Sequence, residues 1–256
     1  MSSENTVMED EAFLIRSLSG DVDAPGMPVP DDPQERWRLL RSIMNVRGPM
    51  PVDPSILRIQ DRLLSKMAED KGIVDADDLE FSDGICLWRG DITRLRCDAI
   101  VNAANNGMMG CFVPCHSCID NVIHTFAGMQ LRSECAEIMN GDREPVGGAR
   151  ITGAYNLPCK HILHTVGPTV EGELTERHCE MLKSCYRSCL ELARDRGLGT
   201  VAFCCISTGV FGFPQREAAE IAVNTVRGFL KNERTIRVIF DVFTDRDESI
   251  YDELLG

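Results

Sequence analysis

The sequence predicts an α/β fold with three layers (α/β/α), a mixed, largely parallel sheet and an N-terminal helical extension. Two observations predict it. From Ile85 onward, short apolar runs alternate with segments of helical periodicity, and strands separated by amphipathic helices are typical of a parallel sheet with helices on both faces. Before Ile85, two helical patterns follow one another without a strand pattern between them, which indicates a helical extension.

The predicted elements follow one another in a regular order. Strands are expected over residues 85–88, 99–102, 149–156, 162–166, 201–206 and 237–243. Helices are expected over residues 119–139, 176–194, 216–230 and 248–255. In such sheets, ligands bind beyond the carboxyl ends of the strands. We therefore expect the loops at residues 102–105 and 207–213 to form a binding site.

The chain divides into three predicted segments. Residues 1–31 are rich in acids, serine and proline and are expected to form a mobile tail. Residues 32–80 contain the two helical patterns, opened by Pro33 and Pro54. We expect them to pack on the main domain, residues 81–256, rather than to form a separate functional module.

Composition restricts the class of protein. With 43% hydrophobic and 26% charged residues the chain is typical of soluble globular proteins. No apolar run approaches the roughly 18 to 20 residues of a membrane span, and no secretory signal is visible. A cytoplasmic location is expected, with the twelve cysteines reduced. A net charge of −13 argues against non-specific binding to nucleic acid.

The segment 110–124 carries the strongest chemical signal. It places four zinc-competent side chains within eight positions, followed by Asp120; these are Cys111, Cys115, His116 and Cys118. Two thiolates and an imidazole leave one tetrahedral position free, as in catalytic zinc sites, and a nearby carboxylate can act as a base. The spacing matches neither the paired CxxC of a zinc ribbon nor the HExxH of a metalloprotease.

Three separated motifs give this segment its context: Gly90-Asp-Ile-Thr93, Asp98-Ala-Ile-Val-Asn-Ala-Ala-Asn105 and Ser207-Thr-Gly-Val-Phe-Gly-Phe-Pro214. Together they resemble the macrodomain, an ADP-ribose-binding α/β module, from about Ile85 to the C-terminus. The cysteine-rich segment resembles the zinc-containing microbial branch of macrodomain ADP-ribosyl hydrolases. A weaker match extends upstream through residues 37–47.

The resemblance implies a set of ADP-ribose-binding residues. Asp91, with Ile92 beside it, matches the residue that accepts a hydrogen bond from the adenine amine, although Gly-Asp-Ile-Thr is also typical of a turn or helix cap. Phe243 matches an aromatic residue stacked on adenine, or is a buried strand residue. A glycine-rich loop offers backbone N–H groups to the pyrophosphate; its residues are Ser207, Thr208, Gly209, Val210, Phe211 and Gly212.

The resemblance also implies the reaction centre. Zn²⁺ is expected on Cys111, His116 and Cys118, and the role of Cys115 stays open between a bystander and a fourth ligand of a structural zinc. Asp120 and Asn105 are expected at the distal ribose as catalytic residues, although an aspartate in a first helical turn also suits the helix dipole. Asn102 is expected to brace the loop. The remaining histidines are expected to be packing residues: His124, His161, His164 and His178.

The expected function is that of a zinc-dependent hydrolase removing ADP-ribose from mono-ADP-ribosylated proteins. Two alternatives use much the same site: a non-catalytic ADP-ribose reader and an O-acetyl-ADP-ribose deacetylase. Expected partners are ADP-ribosylated protein substrates and ADP-ribose, with no nucleic acid and no membrane. Microbial members of the family are associated with sirtuin-type ADP-ribosyltransferases and lipoyl-carrier proteins, so the resemblance implies these as further partners.

Overall fold

A computed structural model describes residues 3–256, and its centre is a six-stranded sheet in the order β2-β8-β7-β4-β6-β5. Neighbouring strands are parallel except β5, which runs antiparallel to β6. Two short strands, β1 and β3, pair beside it. The strands are β1 Val74–Asp75, β2 Ile85–Arg89, β3 Leu95–Arg96, β4 Ala99–Ala104, β5 Ala149–Gly153, β6 His161–Val166, β7 Thr200–Phe203 and β8 Arg237–Val242.

Helices complete the three layers and confirm the predicted fold class. In one helical layer α6 contacts α7 and α7 contacts α8, while α4 and α5 contact each other on the opposite side and α1, α2 and α3 pack outside them. The helices are α1 Ser3–Leu18, α2 Pro33–Val46, α3 Pro54–Lys71, α4 Ile119–Ala127, α5 Met129–Met139, α6 Glu176–Asp195, α7 Gln215–Leu230 and α8 Asp245–Leu255. No helix within residues 3–256 combines the length and apolar character needed to cross a membrane.

The helix predicted over residues 119–139 is two helices, and Gly128 separates them. Gly128 has φ +99°, and a Cβ there would lie 2.5 Å from Nε2 of Gln60 on α3. The Oε1 atom of Gln60 in turn accepts the Met129 N–H at 2.9 Å and so caps α5. The contact of Gln60 on α3 therefore determines where α4 ends and α5 begins, and the periodicity of residues 119–139 does not indicate it.

The mobile tail predicted for residues 1–31 is wrong for most of that segment. Residues 3–18 form α1, and residues 1 and 2 lie outside the described part of the chain. Leu14, Ile15 and Leu18 are buried in a cluster with side chains of α2 and α3. Burying such apolar side chains stabilises the helix by about 1.5–3 kcal/mol each, and this outweighs the polar composition of the segment.

The predicted strands 149–156 and 201–206 end earlier in the structure, at Gly153 and Phe203. The chain beyond β7 therefore turns into the glycine-rich loop at the same edge of the sheet where β4 and β2 end. This edge carries the carboxyl ends of the parallel strands, which is where ligands bind in open α/β sheets.

Candidate functional site

A cavity of about 1010 Å³ opens at this edge of the sheet. This volume lies at the upper end of the range of about 300–1,000 Å³ typical of ligand sites. It brings together predicted residues from distant parts of the chain, among them Asp91, Asn105, Asp120 and Phe243. Gly212, also predicted for the site, lines a neighbouring cavity instead. The other predicted residues on the cavity wall are Ile92, Cys111, His116, Cys118, Ser207, Thr208, Gly209, Val210 and Phe211.

One end of the cavity is formed by Asp91, after β2, and Phe243, after β8. Asp91 Oδ1 accepts hydrogen bonds from the N–H and hydroxyl of Thr93 at 3.0 and 2.6 Å, and Oδ2 accepts one from Lys71 Nζ at 3.0 Å. Burial acts to raise the pKa of Asp91, but the Thr93 and Lys71 contacts outweigh it and hold that pKa below its usual value. Phe243 is 75% exposed, so it is available for stacking and is not a buried strand residue.

A second carboxyl group, Asp241, lies at this end and was missed by the sequence analysis. Its side chain lines the cavity and is 7% exposed. Its Oδ1 atom has no hydrogen-bond partner within residues 3–256. Burial, together with nearby Asp91, raises the pKa of Asp241 well above its usual range. Asp241 lies within the apolar run that predicts β8, so the sequence pattern does not indicate that its carboxyl group lines a cavity.

The glycine-rich loop forms the floor of the cavity. Ser207 adopts φ +67°, and its Oγ is buried without a partner in the described part of the chain. Gly167 makes room for it, because a Cβ there would lie 2.1 Å from the same Oγ. The N–H groups of Gly209, Val210 and Phe211 make no backbone hydrogen bond within residues 3–256. Such free N–H groups form a site suited to phosphate. Phe213, the last aromatic residue of the loop motif, is buried in the core and does not line the cavity.

At the other end of the cavity, two amides hold the carboxylate of Asp120. Asn102 Nδ2 donates to Oδ1 at 2.8 Å, and Asn105 Nδ2 donates to Oδ2 at 3.1 Å. Asn105 also donates to the Gly110 carbonyl and accepts from the Gly107 N–H, both at 3.0 Å. Burial raises the pKa of Asp120 to about 6, against the lowering effect of these contacts. Asn102 is thus a direct partner of Asp120 and more than a loop brace.

Two buried histidines lie behind Asp120. The Nδ1 atom of His164 receives the Asn102 amide at 3.1 Å, and Nε2 lies 2.9 Å from Thr152 Oγ1. Burial lowers the pKa of His164 to about 3, so the ring is neutral. His124 Nε2 lies 3.7 Å from Asp120 Oδ1, and both ring nitrogens lack hydrogen-bond partners within residues 3–256. Burial lowers its pKa as well.

Beside Asp120, the side chains of Cys111, His116 and Cys118 converge. Their sulfur and nitrogen atoms all lie within 4.8 Å of one another, and Cys111 Sγ is 3.8 Å from His116 Nδ1. A tetrahedral zinc with ordinary bond lengths needs S···N separations of about 3.6 Å. Cys118 is the N-cap of α4, and Asp120 lies in the first turn of the same helix. These three residues therefore fit a zinc ion.

Cys115 lies outside this cluster. Its Sγ contacts α2, 3.2 Å from Ser42 Oγ and 3.3 Å from the Arg38 carbonyl. Its N–H donates to Asn45 Oδ1 at 2.9 Å. The structure therefore favours a three-ligand set over the four-ligand alternative.

The chain is similar in sequence and in structure to several known proteins. The model of the family described as Macro domain matches residues 101–222. A protein-ADP-ribose hydrolase of Treponema medium is 51% identical over 260 residues, with 98% of this chain and 100% of the relative covered. A mutant Oceanobacillus iheyensis macrodomain solved with ADPR is 38% identical, with TM-score 0.62 and coverage of 67% of this chain and 91% of that one. The Trypanosoma brucei macrodomain in complex with ADP is 31% identical, with TM-score 0.66 and coverage of 86% and 96%.

Proposed function

This chain belongs to the macro domain family, and we propose that it is a hydrolase that releases ADP-ribose from mono-ADP-ribosylated proteins with the help of a zinc ion. The relative from Treponema medium, which aligns with nearly the whole chain, is named for hydrolysis of protein-bound ADP-ribose. The single observation that carries the proposal is the position of Asp120. It lies in one cavity with the thiol–imidazole cluster and the glycine-rich loop.

The cavity suggests how ADP-ribose lies in it. The adenine amine would donate to Asp91, which is ionised, while the exposed ring of Phe243 stacks on the base. The free N–H groups of residues 209–211 would bind the pyrophosphate without a formal positive charge. This orientation directs the distal ribose toward Asn105 and Asp120.

The reaction adds water to the anomeric carbon while the bond to the protein side chain breaks, and the departing group takes up a proton. Asp120 would orient or deprotonate the water, with its carboxylate held in place by Asn102 and Asn105. A zinc ion on Cys111, His116 and Cys118 would supply Lewis-acid chemistry to a ribose hydroxyl or to the water.

Metal content and ADP-ribose release test the proposal together. Purified protein should contain about one zinc per chain, and it should release ADP-ribose from an automodified transferase. Release should fall after chelation and return when zinc is restored. Protein that binds ADP-ribose but releases none from any linkage, with zinc present, is a reader and contradicts the proposal. Release of acetate from O-acetyl-ADP-ribose without release from protein would indicate a deacetylase.

The ligand set is tested by a matched pair of variants. Cys118→Ala should lose most of the zinc, because a cluster with two remaining ligands holds the metal weakly. Cys115→Ala should keep it, because the Cys115 thiol faces α2. Zinc per chain is measured by atomic emission on both variants. Equal zinc loss in the two would move Cys115 into the ligand set and the metal toward a structural role.

A further inference from the structure

We infer that α2 of the N-terminal extension holds the ligand loop, residues 111–118, in its metal-binding shape, with Arg41 and Asn45 as the positioning residues. This inference rests on the proposed zinc site and goes beyond it, because it assigns a role in the site to a helix remote in sequence from the ligands. The other contacts of the extension are those of packing, in the apolar cluster that joins α1, α2 and α3.

One face of α2 makes the contacts. Leu40, Ile43 and Met44 turn into the apolar cluster shared with α1 and α3, which also includes Met129 at the start of α5. The opposite positions, three and four residues apart, face the ligand loop and fall on one side of a helix; they are Arg38 through its carbonyl, Arg41, Ser42 and Asn45. The helix thus separates a packing face from a face that contacts the loop.

Arg41 holds a ligand residue directly. Its Nη2 donates to the carbonyl of His116 at 2.8 Å and to Asn121 Oδ1, also at 2.8 Å. Asn121 Nδ2 in turn donates to the carbonyls of Cys111 and Val113 at 3.2 and 2.9 Å. Arg41 therefore connects the backbone of two of the three ligands through a single guanidinium group.

Asn45 holds the loop at its strained point. Cys115 has φ +52°, a left-handed conformation that is uncommon for a residue with a side chain. Asn45 Oδ1 accepts the N–H of this residue at 2.9 Å, while Asn45 Nδ2 donates to Thr125 Oγ1 on α4 at 3.0 Å. Asn45 is 1% exposed, so water does not replace these bonds. The turn at Cys115 brings His116 to the cluster and depends on this contact.

Arg132 fastens α2 itself beside the loop. Its Nη1 donates to the carbonyls of Met44, Asn45 and Arg47 at the end of α2, and its Nε donates to the Met109 carbonyl at 2.7 Å. Its guanidinium also lies 4.3 Å from the centre of the Phe112 ring. The end of α2 and the start of the ligand loop are thus held by one buried side chain.

The test uses the whole 256-residue chain and three variants, Arg41→Met, Asn45→Ala and Arg36→Met. Arg36 is the matched control: it lies on the same helix and bonds to Glu11 and to the carbonyls of Pro30 and Asp31, all of which precede α2 in the chain. Zinc affinity is measured by competition with a chromophoric chelator. In metal-free protein, the alkylation rates of Cys111 and Cys118 are measured by mass spectrometry, with half-buried Cys179 on α6 as the internal reference.

We expect Arg41→Met and Asn45→Ala to weaken zinc binding by about 10- to 100-fold, the usual effect of losing a residue that orients metal ligands. The alkylation rates of Cys111 and Cys118 should rise about tenfold, with that of Cys179 unchanged. Arg36→Met should leave all of these values at the wild-type level. The two loop variants remove different bonds, so a folding failure in one leaves the other as the test, with the Cys179 rate reporting on the fold.

Wild-type zinc affinity and alkylation rates in folded Arg41→Met and Asn45→Ala would overturn the inference. An equal effect of Arg36→Met would also overturn it, because the extension would then act through overall stability. Wild-type protein that takes up no zinc contradicts the zinc part of the proposed function. In that case the alkylation rates still decide whether α2 holds the loop.

Discussion

Asp120 receives its two amide partners from one strand end, Asn102 on β4 and Asn105 just after it. The two donors fix both carboxylate oxygens, so the side chain has one orientation in the cavity. A buried carboxylate with a fixed orientation is suited to position a nucleophile. The contacts also contribute to stability, because removal of Asp120 takes one acceptor from the buried amide of Asn102 and one from the half-buried amide of Asn105.

Replacement of Asp120 by alanine separates catalysis from binding. Asp120→Ala should reduce ADP-ribose release by about a hundredfold or more, the scale of positioned acid–base groups. ADP-ribose affinity, measured by calorimetry, should change little, because the proposed adenine and pyrophosphate contacts lie at other parts of the cavity. Zinc content should be retained, because Asp120 is not among the three proposed ligands.

The melting temperature of the Asp120→Ala variant is the necessary control, since the amides of Asn102 and Asn105 each lose one acceptor. A folded, zinc-containing variant that releases ADP-ribose at the wild-type rate would remove Asp120 from the mechanism. A variant that neither binds nor releases ADP-ribose would show that the carboxylate shapes the whole cavity.

At the scale of the element, α3 contributes a charge to the opposite end of the cavity. Its last residue, Lys71, donates to Asp91 Oδ2 at 3.0 Å, and its ammonium lies 3.3 Å from the centre of the Phe126 ring. The end of the helix is fixed by Arg94, whose Nε donates to the Gly72 carbonyl at 2.6 Å. The ammonium group favours the ionised form of Asp91, which is the stronger acceptor.

Lys71→Met tests this contribution. Methionine keeps the packing against Phe126 and removes the charge, so affinity for ADP-ribose should fall about threefold to tenfold, a loss of roughly 1 kcal/mol. Lys66→Met is the control, because Lys66 lies on the same helix and pairs with the exposed Asp70. Calorimetry on both variants measures the effect. Unchanged or tighter binding in Lys71→Met would contradict the role given to the ammonium.

Lys71 also shows where prediction from sequence ends. The main strands and the helices of both layers follow from periodicity, because each signal lies within a few neighbouring residues. The residues proposed for the cavity follow from short motifs that resemble those of the macrodomain family. The contacts of Lys71 with Asp91, of Gln60 with Met129 and of Arg41 with His116 join residues 20, 69 and 75 positions apart. No local sequence pattern indicates these long-range contacts. Helix α1, the break at Gly128 and the hydrogen-bond partners of the site residues could therefore be identified only from the structure.

For the whole molecule, buried neutral histidine makes stability depend on pH. The folded protein binds a proton at His164 with a pKa of about 3, against 6.5 for an exposed histidine. The unfolded chain therefore takes up this proton first as the pH falls. The contribution of neutral His164 to the free energy of unfolding is therefore complete above pH 6.5 and is lost progressively toward about pH 3.

When the pH is lowered from 7.5 to 5, the titration of His164 should reduce the free energy of unfolding by about 2 kcal/mol. His164→Gln retains groups able to bond Asn102 and Thr152 and does not titrate. Its unfolding free energy, measured in urea at the two pH values, should therefore fall by about 2 kcal/mol less than that of the wild type. Asp120, Asp241 and Glu11 have raised pKa values and act in the opposite direction, whereas His124, whose pKa is lowered chiefly by burial, acts in the same direction. These groups are common to both proteins and cancel in the difference. Equal pH dependence in the two proteins would show that His164 titrates normally.

The contacts between α2 and the ligand loop also limit how this chemistry passes from one protein to another. Residues 111–118 form a short contiguous segment that recombination or design can move as one piece. The side chains that hold its shape lie some 70 residues earlier, at Arg41 and Asn45. A recipient domain that lacks α2 would receive the three proposed donor atoms without the contacts that hold the turn at Cys115. Transfer of the proposed zinc centre to another domain would therefore require both the segment and α2.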